Sequence, residues 1–199
     1  MSILKQILES ENIEITSKQL TQLEIFTELL QKWNKVHNLT GAKRVEDIYP
    51  NIIDALYPST FIKKPHSILD VGTGAGFPGM MLAIVYPNVH TVLCEPRKKR
   101  ASFLKYVTME LELSNVEVVK KRVEDYDSNA FGLISSRAVT NTNMLLGLTE
   151  HLQDKTTQYL FYKGEQVFSE LESVDVELDY DIIEKNQRNY LYIKGQACG

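Results

Sequence analysis

A short apolar segment that runs directly into a glycine-rich turn constrains the fold of this chain more than any other feature. Ile68–Val71 has the character of a buried strand, four glycines lie within residues 72–79, and an apolar helical segment follows at Met80–Val85. Glycines in such a turn permit positive φ angles and let the backbone approach a ligand closely. In an open parallel sheet, this turn lies at the carboxyl edge, where ligands bind. The segment therefore predicts a strand–turn–helix unit with a ligand site.

Short apolar segments alternate with helical ones through most of the chain. Further strands are predicted at His90–Glu95, Val116–Lys120, Leu133–Ser136 and Gln158–Tyr162. Further helices are predicted at Lys98–Leu113 and Asn143–Leu152, and an antiparallel pair near the end at Val176–Ile183 and Tyr190–Lys194. Strands that alternate with helices imply right-handed βαβ units. The pattern predicts an α/β, Rossmann-like fold with a mostly parallel sheet and a C-terminal antiparallel strand.

The N-terminal segment is predicted to be helical. Its apolar residues recur every three or four positions: Leu20, Leu23, Phe26, Leu30 and Trp33. Thr16 or Ser17 would cap this helix and residues 38–41 would end it, before a second helical pattern from Val45 to Leu56. We predict an N-terminal helical extension over residues 1–60, packed on a core domain over residues 61–199.

Composition excludes several classes of protein. No apolar run is long enough to cross a membrane, and the N-terminus lacks the basic and apolar regions of a signal peptide. With only Cys94 and Cys198, a structural disulfide is not expected, and the predicted compartment is the cytoplasm. The net charge of −4 argues against binding nucleic acid through the overall field of the protein, but local basic patches remain available.

The residues around the turn favour one class of ligand. Gly74, Gly76 and Gly79 satisfy the spacing of a dinucleotide-binding loop, so an NAD-dependent oxidoreductase is an alternative. Asp70, however, places a carboxylate where a pyrophosphate would be repelled, whereas a cationic sulfonium with an amino group would not. Glu95 can accept hydrogen bonds from ribose hydroxyls, which either cofactor requires. These residues favour S-adenosylmethionine as the cofactor.

Together with their neighbours, these segments resemble the methyltransferase family called GidB or RsmG. The resemblance covers nearly the whole chain, and its most specific parts are Trp33-Asn34-Lys35 with Asn38-Leu39-Thr40, the Gly-Phe-Pro-Gly end of the turn, and Ser136-Arg137-Ala138. The shared pattern also includes Lys99-Arg100, Phe103-Leu104, Arg122-Val123-Glu124 and Lys163-Gly164.

The resemblance implies methylation of N7 of a guanine in 16S ribosomal RNA or the small ribosomal subunit, at guanosine 527 in the 530 loop. It implies that Gly72 and Phe77 line the cofactor site, that Val123 and Glu124 flank the adenine, and that Arg137 is catalytic, facing cofactor and base. Substrates other than RNA remain an alternative for a methyltransferase. The four histidines lack metal-ligand spacing, so no metal is expected.

Local basic residues are the candidates for RNA contact, namely Lys35, Arg44, Arg97, Lys98 and Lys163. One departure from the family pattern stands out. Asn51 occupies the position where the family usually carries a histidine, although Asp54 is retained. Guanine N7 needs no general base because it carries a lone pair and no proton. It lies in the deep major groove of A-form RNA, so the target base must be in a loop or flipped out.

Overall fold

The computed structural model describes residues 2–174 and 178–195 and shows a seven-stranded sheet with helices on both faces. The strands are β1 Ser67–Val71, β2 His90–Cys94, β3 Val116–Val119, β4 Leu133–Arg137, β5 Gln158–Lys163, β6 Tyr180–Lys185 and β7 Arg188–Ile193. The helices are α1 Ile3–Ser10, α2 Ser17–His37, α3 Tyr49–Leu56, α4 Gly79–Val85, α5 Lys98–Glu110, α6 Thr142–Leu148 and α7 Val167–Glu172. The predicted residues Val176 and Cys198 lie outside the described residues.

The strand order is β3-β2-β1-β4-β5-β7-β6. Strands β1 to β5 pair in parallel, and β7 runs antiparallel to both β5 and β6. The chain moves outward in one direction from β1 and in the other from β4, so a topological switch point lies between these two strands. The predicted Rossmann-like fold, with its parallel sheet and C-terminal antiparallel strand, is confirmed.

Several element boundaries differ from the sequence-based ones. Helix α5 ends at Glu110, and Glu112 takes a positive φ of 52°, which a continuing helix cannot include. The helix predicted to reach Leu152 ends at Leu148. Thr149 leaves the helical conformation, with φ −113° and ψ 7°, and a 3₁₀ turn begins at Glu150. Helix α7 was not predicted, and strand β6 begins at Tyr180.

The N-terminal helices pack against α4 and α5. Thr16 caps α2 in a capping box with Gln19, and Asn38 ends the helix in a left-handed conformation, as the sequence predicts. The buried Phe26 lies 5.5 Å from Phe77 and 6.3 Å from Phe103, measured between ring centroids. Residues on both sides of position 60 therefore share one hydrophobic core. The division into an extension and a core domain stays a prediction.

Candidate functional site

The glycine-rich turn brings the ends of β1 and β2 together at the switch point. Gly72, Gly74 and Gly76 have φ angles of 66°, 62° and 104°. The Gly72 amide donates to the Cys94 carbonyl at 2.8 Å, which fixes the turn against the end of β2. A Cβ at position 72 would lie only 2.6 Å from Val139 Cγ2, in the loop after β4. Glycine is therefore required at Gly72 both by its backbone angle and by this close approach.

Asp70 stabilises the turn from inside the protein. Its side chain is fully buried, with Oδ2 accepting from the Gly79 amide at 2.8 Å and Oδ1 from the Ser135 hydroxyl at 2.8 Å. Burial raises the pKa of Asp70 to about 6, although these hydrogen bonds act in the opposite direction. Asp70 thus ties β1 to the start of α4 and to β4, and it does not line the cavity described below.

Glu95 follows β2 and faces the turn. Its Oε2 accepts from the Gly74 amide at 3.0 Å, and its Oε1 accepts from the Arg97 amide at 2.8 Å. The Arg100 guanidinium lies 3.9 Å from Oε2, and the Glu95 side chain is only 3% exposed. Because a carboxylate has about four lone-pair positions, Glu95 can hold its own loop and still accept hydrogen bonds from a ligand.

A cavity of about 450 Å³ lies between the turn, the end of β2 and the loop after β4. Among the predicted site residues it is lined by Gly72, Phe77, Glu95, Arg97 and Arg137. Thr73 also lines it, and Thr73 Oγ1 is buried near the Asp70 carboxyl without a partner at hydrogen-bond geometry in the described part of the chain. Two larger cavities, of about 620 Å³ each, share no residue with the turn.

Arg137 enters this cavity from the end of β4 and is held by α3. Its Nη1 donates to Asn51 Oδ1 at 3.2 Å and to Asp54 Oδ2 at 3.1 Å, and its guanidinium carbon lies 4.9 Å from the centre of the Phe77 ring. Asp54 in turn accepts from Arg188 Nε at 2.8 Å. Asn51, the departure from the family pattern, therefore supplies a polar contact to the predicted catalytic arginine.

The remaining predicted cofactor residues, Asp70, Gly74, Gly76, Val123 and Glu124, do not line the cavity. Gly74 and Gly76 shape the turn, and Asp70 lies beneath it. Val123 is buried and Glu124 exposed, at the start of a 3₁₀ turn that follows β3. A hydrogen bond from its own backbone amide is the main cause of the lowered pKa of Glu124. The lining residues Thr73, Asn51 and Val139 were not predicted as ligand contacts; for Thr73, its place inside the glycine turn was the available signal.

Four of the five residues predicted to contact RNA are exposed, and the fifth, Lys163, is buried. Lys35, Arg97 and Lys98 are exposed, and Arg44 is exposed beside Asp47, whose carboxylate lies 3.1 Å from its guanidinium. Lys163, by contrast, is 8% exposed, and its Nζ donates to the Thr140 carbonyl at 2.9 Å and to Glu170 Oε2 at 2.8 Å. The structure therefore separates Lys163 from the other four residues.

Residues 2–174 and 178–195 were searched for a membrane span, a metal site and a reactive thiol. Within these residues, no helix is long and apolar enough to cross a membrane. The same residues contain no group of three or more His, Cys, Asp or Glu side chains placed to hold a metal ion. Burial raises the pKa of the Cys94 thiol to about 12, which disfavours a thiolate nucleophile.

Comparison with known proteins gives a consistent result. A relative from Aliarcobacter butzleri, "Ribosomal RNA small subunit methyltransferase G", is 47% identical over 97% of this chain and 99% of its own length. A relative of the same name from Wolinella succinogenes is 47% identical over 98% of this chain and 100% of its own length.

Among solved structures, the fold is similar to an S-adenosyl-L-methionine-dependent methyltransferase of Methanococcus maripaludis. The TM-score is 0.61 at 14% identity, over 87% of this chain and 93% of that one. It is also similar to a variant of MtNAS in complex with S-adenosylmethionine, with a TM-score of 0.59 at 12% identity, over 96% and 82% of the two chains. The model of the GidB family, described as rRNA small subunit methyltransferase G, matches residues 19–195, and this chain belongs to that family.

Proposed function

We propose that this protein transfers the methyl group of S-adenosylmethionine to N7 of a guanine in 16S ribosomal RNA, and that guanosine 527 in the 530 loop is this base. The observation that carries the proposal is the cavity at the switch point, which Thr73, Glu95 and Arg137 line together. Membership of the family supports the reaction class and the small-subunit RNA substrate. The proposed compartment is the cytoplasm.

The residues at the cavity fit this cofactor. Glu95 would accept from the ribose hydroxyls, and Val123 with Glu124 would flank the adenine beyond the end of β3. Gly72 and Thr73 line the cavity at the end of β1 and would contact the methionine part. When bound, the cofactor supplies an electrophilic methyl carbon on a sulfonium.

The protein's own contribution is positioning. Guanine N7 attacks in line with the bond that breaks, so alignment of the two reactants accounts for most of the catalysis. Of the guanidinium nitrogens of Arg137, only Nη1 has a hydrogen-bond partner among the described residues. Its remaining N–H groups can donate to the incoming nucleotide. Asn51 and Asp54 would hold the guanidinium in place while it does so.

Labelled-methyl transfer tests the proposal directly. Purified protein should methylate small-subunit RNA from cells that lack it, and mapping should place the label on N7 of guanosine 527. S-adenosylhomocysteine should raise the melting temperature and NAD should not, because only a ligand that binds the native state stabilises it. A label on a protein or small molecule, or on another atom of the base, would contradict the proposal.

Exposed cations would contact the phosphate backbone. The proposed contacts are Lys35, Arg44, Arg97 and Lys98, and Arg97 also lines the cofactor cavity. The variant K35E/K98E avoids that cavity and should weaken RNA binding while it spares binding of S-adenosylhomocysteine. Each lost phosphate contact should lower the slope of log affinity against log salt by about 1. The matched control K120E/K121E reverses two exposed lysines beyond β3, and an equal loss there would contradict the assignment.

A further inference from the structure

A second cavity, of about 390 Å³, adjoins the cofactor cavity at the carboxyl ends of β4 and β5. The two cavities share Ala138 and Val139, so one stretch of the loop after β4 lines both of them. Lys163 and Glu170 line the second cavity and not the first. A group held in this cavity would be next to whatever the cofactor cavity holds.

Lys163 and Glu170 form an ion pair with unused hydrogen-bonding capacity. Lys163 Nζ lies 2.8 Å from Glu170 Oε2, and their side chains are 9% and 18% exposed. Oε2 also accepts from the amide and the hydroxyl of Thr142, at 2.8 Å and 2.7 Å. Oε1 accepts no hydrogen bond from residues 2–174 or 178–195, and the ammonium group uses two of its three N–H groups.

The pair thus presents a donor beside an acceptor at a partly buried wall. A ligand that binds this pair must carry, along one edge, an acceptor that faces Lys163 and donors that face Glu170. Guanine has this edge, because O6 accepts while N1–H and the 2-amino group donate. Adenine has the reverse order at the first two positions, with a 6-amino donor beside the N1 acceptor.

We propose that Lys163 and Glu170 recognise the Watson–Crick edge of the target guanine in this second cavity. Glu170 would accept from N1–H and the 2-amino group, and Lys163 would donate to O6. The inference rests on the proposed function, and it adds the residues that distinguish guanine from adenine.

Three further points agree with this assignment. N7 lies on the side of the purine away from N1 and the 2-amino group, so recognition of the Watson–Crick edge leaves its lone pair free to react. Burial opposes ionisation of Glu170, but hydrogen bonds from Lys163 and Thr142 outweigh it and lower its pKa. Arg188, the other cation that lines this cavity, is already bonded through Nε and Nη2 to Asp54 and through Nη1 to the Lys163 carbonyl.

The test uses 16S RNA joined from segments so that the target nucleotide is either guanosine or inosine, which lacks only the 2-amino group. For the wild-type protein, kcat/KM on the inosine RNA should be lower by about tenfold to a hundredfold, the effect of losing one hydrogen bond to a charged group. In the variant E170Q, kcat/KM on guanosine RNA should fall by a similar factor, and the ratio between the two RNAs should approach one. The control E165Q, at an exposed acid outside the cavity, should keep the wild-type ratio.

The outcomes separate the inference from the function on which it rests. If E170Q lowers activity on both RNAs equally and keeps the wild-type ratio, Glu170 only holds the Thr142 loop, and the inference is wrong. If E170Q does not fold and therefore fails to bind S-adenosylhomocysteine, the wild-type protein alone tests the inference. A wild-type ratio of kcat/KM between guanosine and inosine RNA near one then overturns it. Absence of N7 methylation on the guanosine RNA by the wild-type protein would overturn the proposed function instead.

Discussion

On the β1–β2 side of the sheet edge, backbone amides hold acidic side chains. On the β4–β5 side, acidic side chains of helices α3 and α7 hold basic side chains. Asp70 and Glu95 accept from the amides of Gly79, Gly74 and Arg97. Arg137 and Lys163 are instead bonded to Asp54 and Glu170. The two sides meet where Val139 approaches Gly72.

This difference matters for what each side can do. Backbone amides in a tight turn cannot move away, so the β1–β2 side forms a fixed wall suited to a cofactor that binds in one pose. Side-chain ion pairs can exchange a partner for a ligand group of the same charge or polarity. The β4–β5 side also includes Ala138, a non-glycine residue with a positive φ of 55°, in the loop that lines both cavities. This difference agrees with the proposals that the first side binds the cofactor and the second side recognises the base.

The largest expected effect comes from removing the acid on the β4–β5 side. In D54N, the cations of Arg137 and Arg188 would face each other without the carboxylate that now bonds both. Breaking a fully buried ion pair from one side costs about 3 to 5 kcal/mol, because an uncompensated charge is left behind. The side chains of this network are 17% to 31% exposed, so the lower end of that range, about 3 kcal/mol, is expected. The free energy of unfolding, measured in urea, should fall by about this amount, and methyl transfer should fall with it.

An exposed acid is the control for this variant. Asp181 pairs with Lys194 at 3.0 Å, but the side chains are 54% and 38% exposed. D181N should therefore change the free energy of unfolding by less than about 1 kcal/mol. Equal effects of D54N and D181N would show that the Arg137 network does not depend on Asp54.

The next effect concerns the amide-held side and appears as a pH dependence. Burial raises the pKa of Asp70 from 3.8 to about 6. Between about pH 4 and pH 6, the Asp70 carboxyl therefore keeps its proton in the native protein and loses it in the unfolded chain. The contribution of Asp70 to stability is therefore greatest below about pH 4 and is lost as the pH rises to about 6. A difference of two pKa units corresponds to about 2 to 3 kcal/mol.

The variant D70N isolates this contribution, because its amide does not titrate. The free energy of unfolding of the wild type minus that of D70N should fall by about 2 to 3 kcal/mol between pH 4 and pH 7. Other acids have lowered pKa values, so their contributions to the free energy of unfolding rise with pH. These contributions are the same in the wild type and in D70N and cancel in the difference. A difference that stays constant or rises with pH would mean that Asp70 is not the buried acid that titrates.

The two sides also differ in how far the sequence alone reveals them. Gly72, Asp70 and Glu95 lie within one short stretch, so local patterns of strand, turn and strand end place them together. The bond between Arg137 and Asp54 joins residues 83 positions apart, and the bond between Arg188 and Asp54 spans 134 positions. No local periodicity encodes such a contact, because it depends on how α3 packs beside β4 and β7. The resemblance to a family identified Arg137 as important, but not the acid that holds it.

The smallest expected effect tests the contact between the two sides. G72A places a Cβ on a residue with a φ of 66° and 2.6 Å from Val139 Cγ2, so it should lower the free energy of unfolding by about 1 to 2 kcal/mol. It should also weaken binding of S-adenosylhomocysteine, because Val139 must move within the cofactor cavity. G147A is the matched control: no atom outside α6 lies within 4 Å of its added Cβ, and it should stabilise the helix by about 0.5 to 1 kcal/mol. Adding V139A to G72A should restore ligand binding but leave the backbone strain. If V139A does not restore ligand binding, the two sides do not meet at this contact.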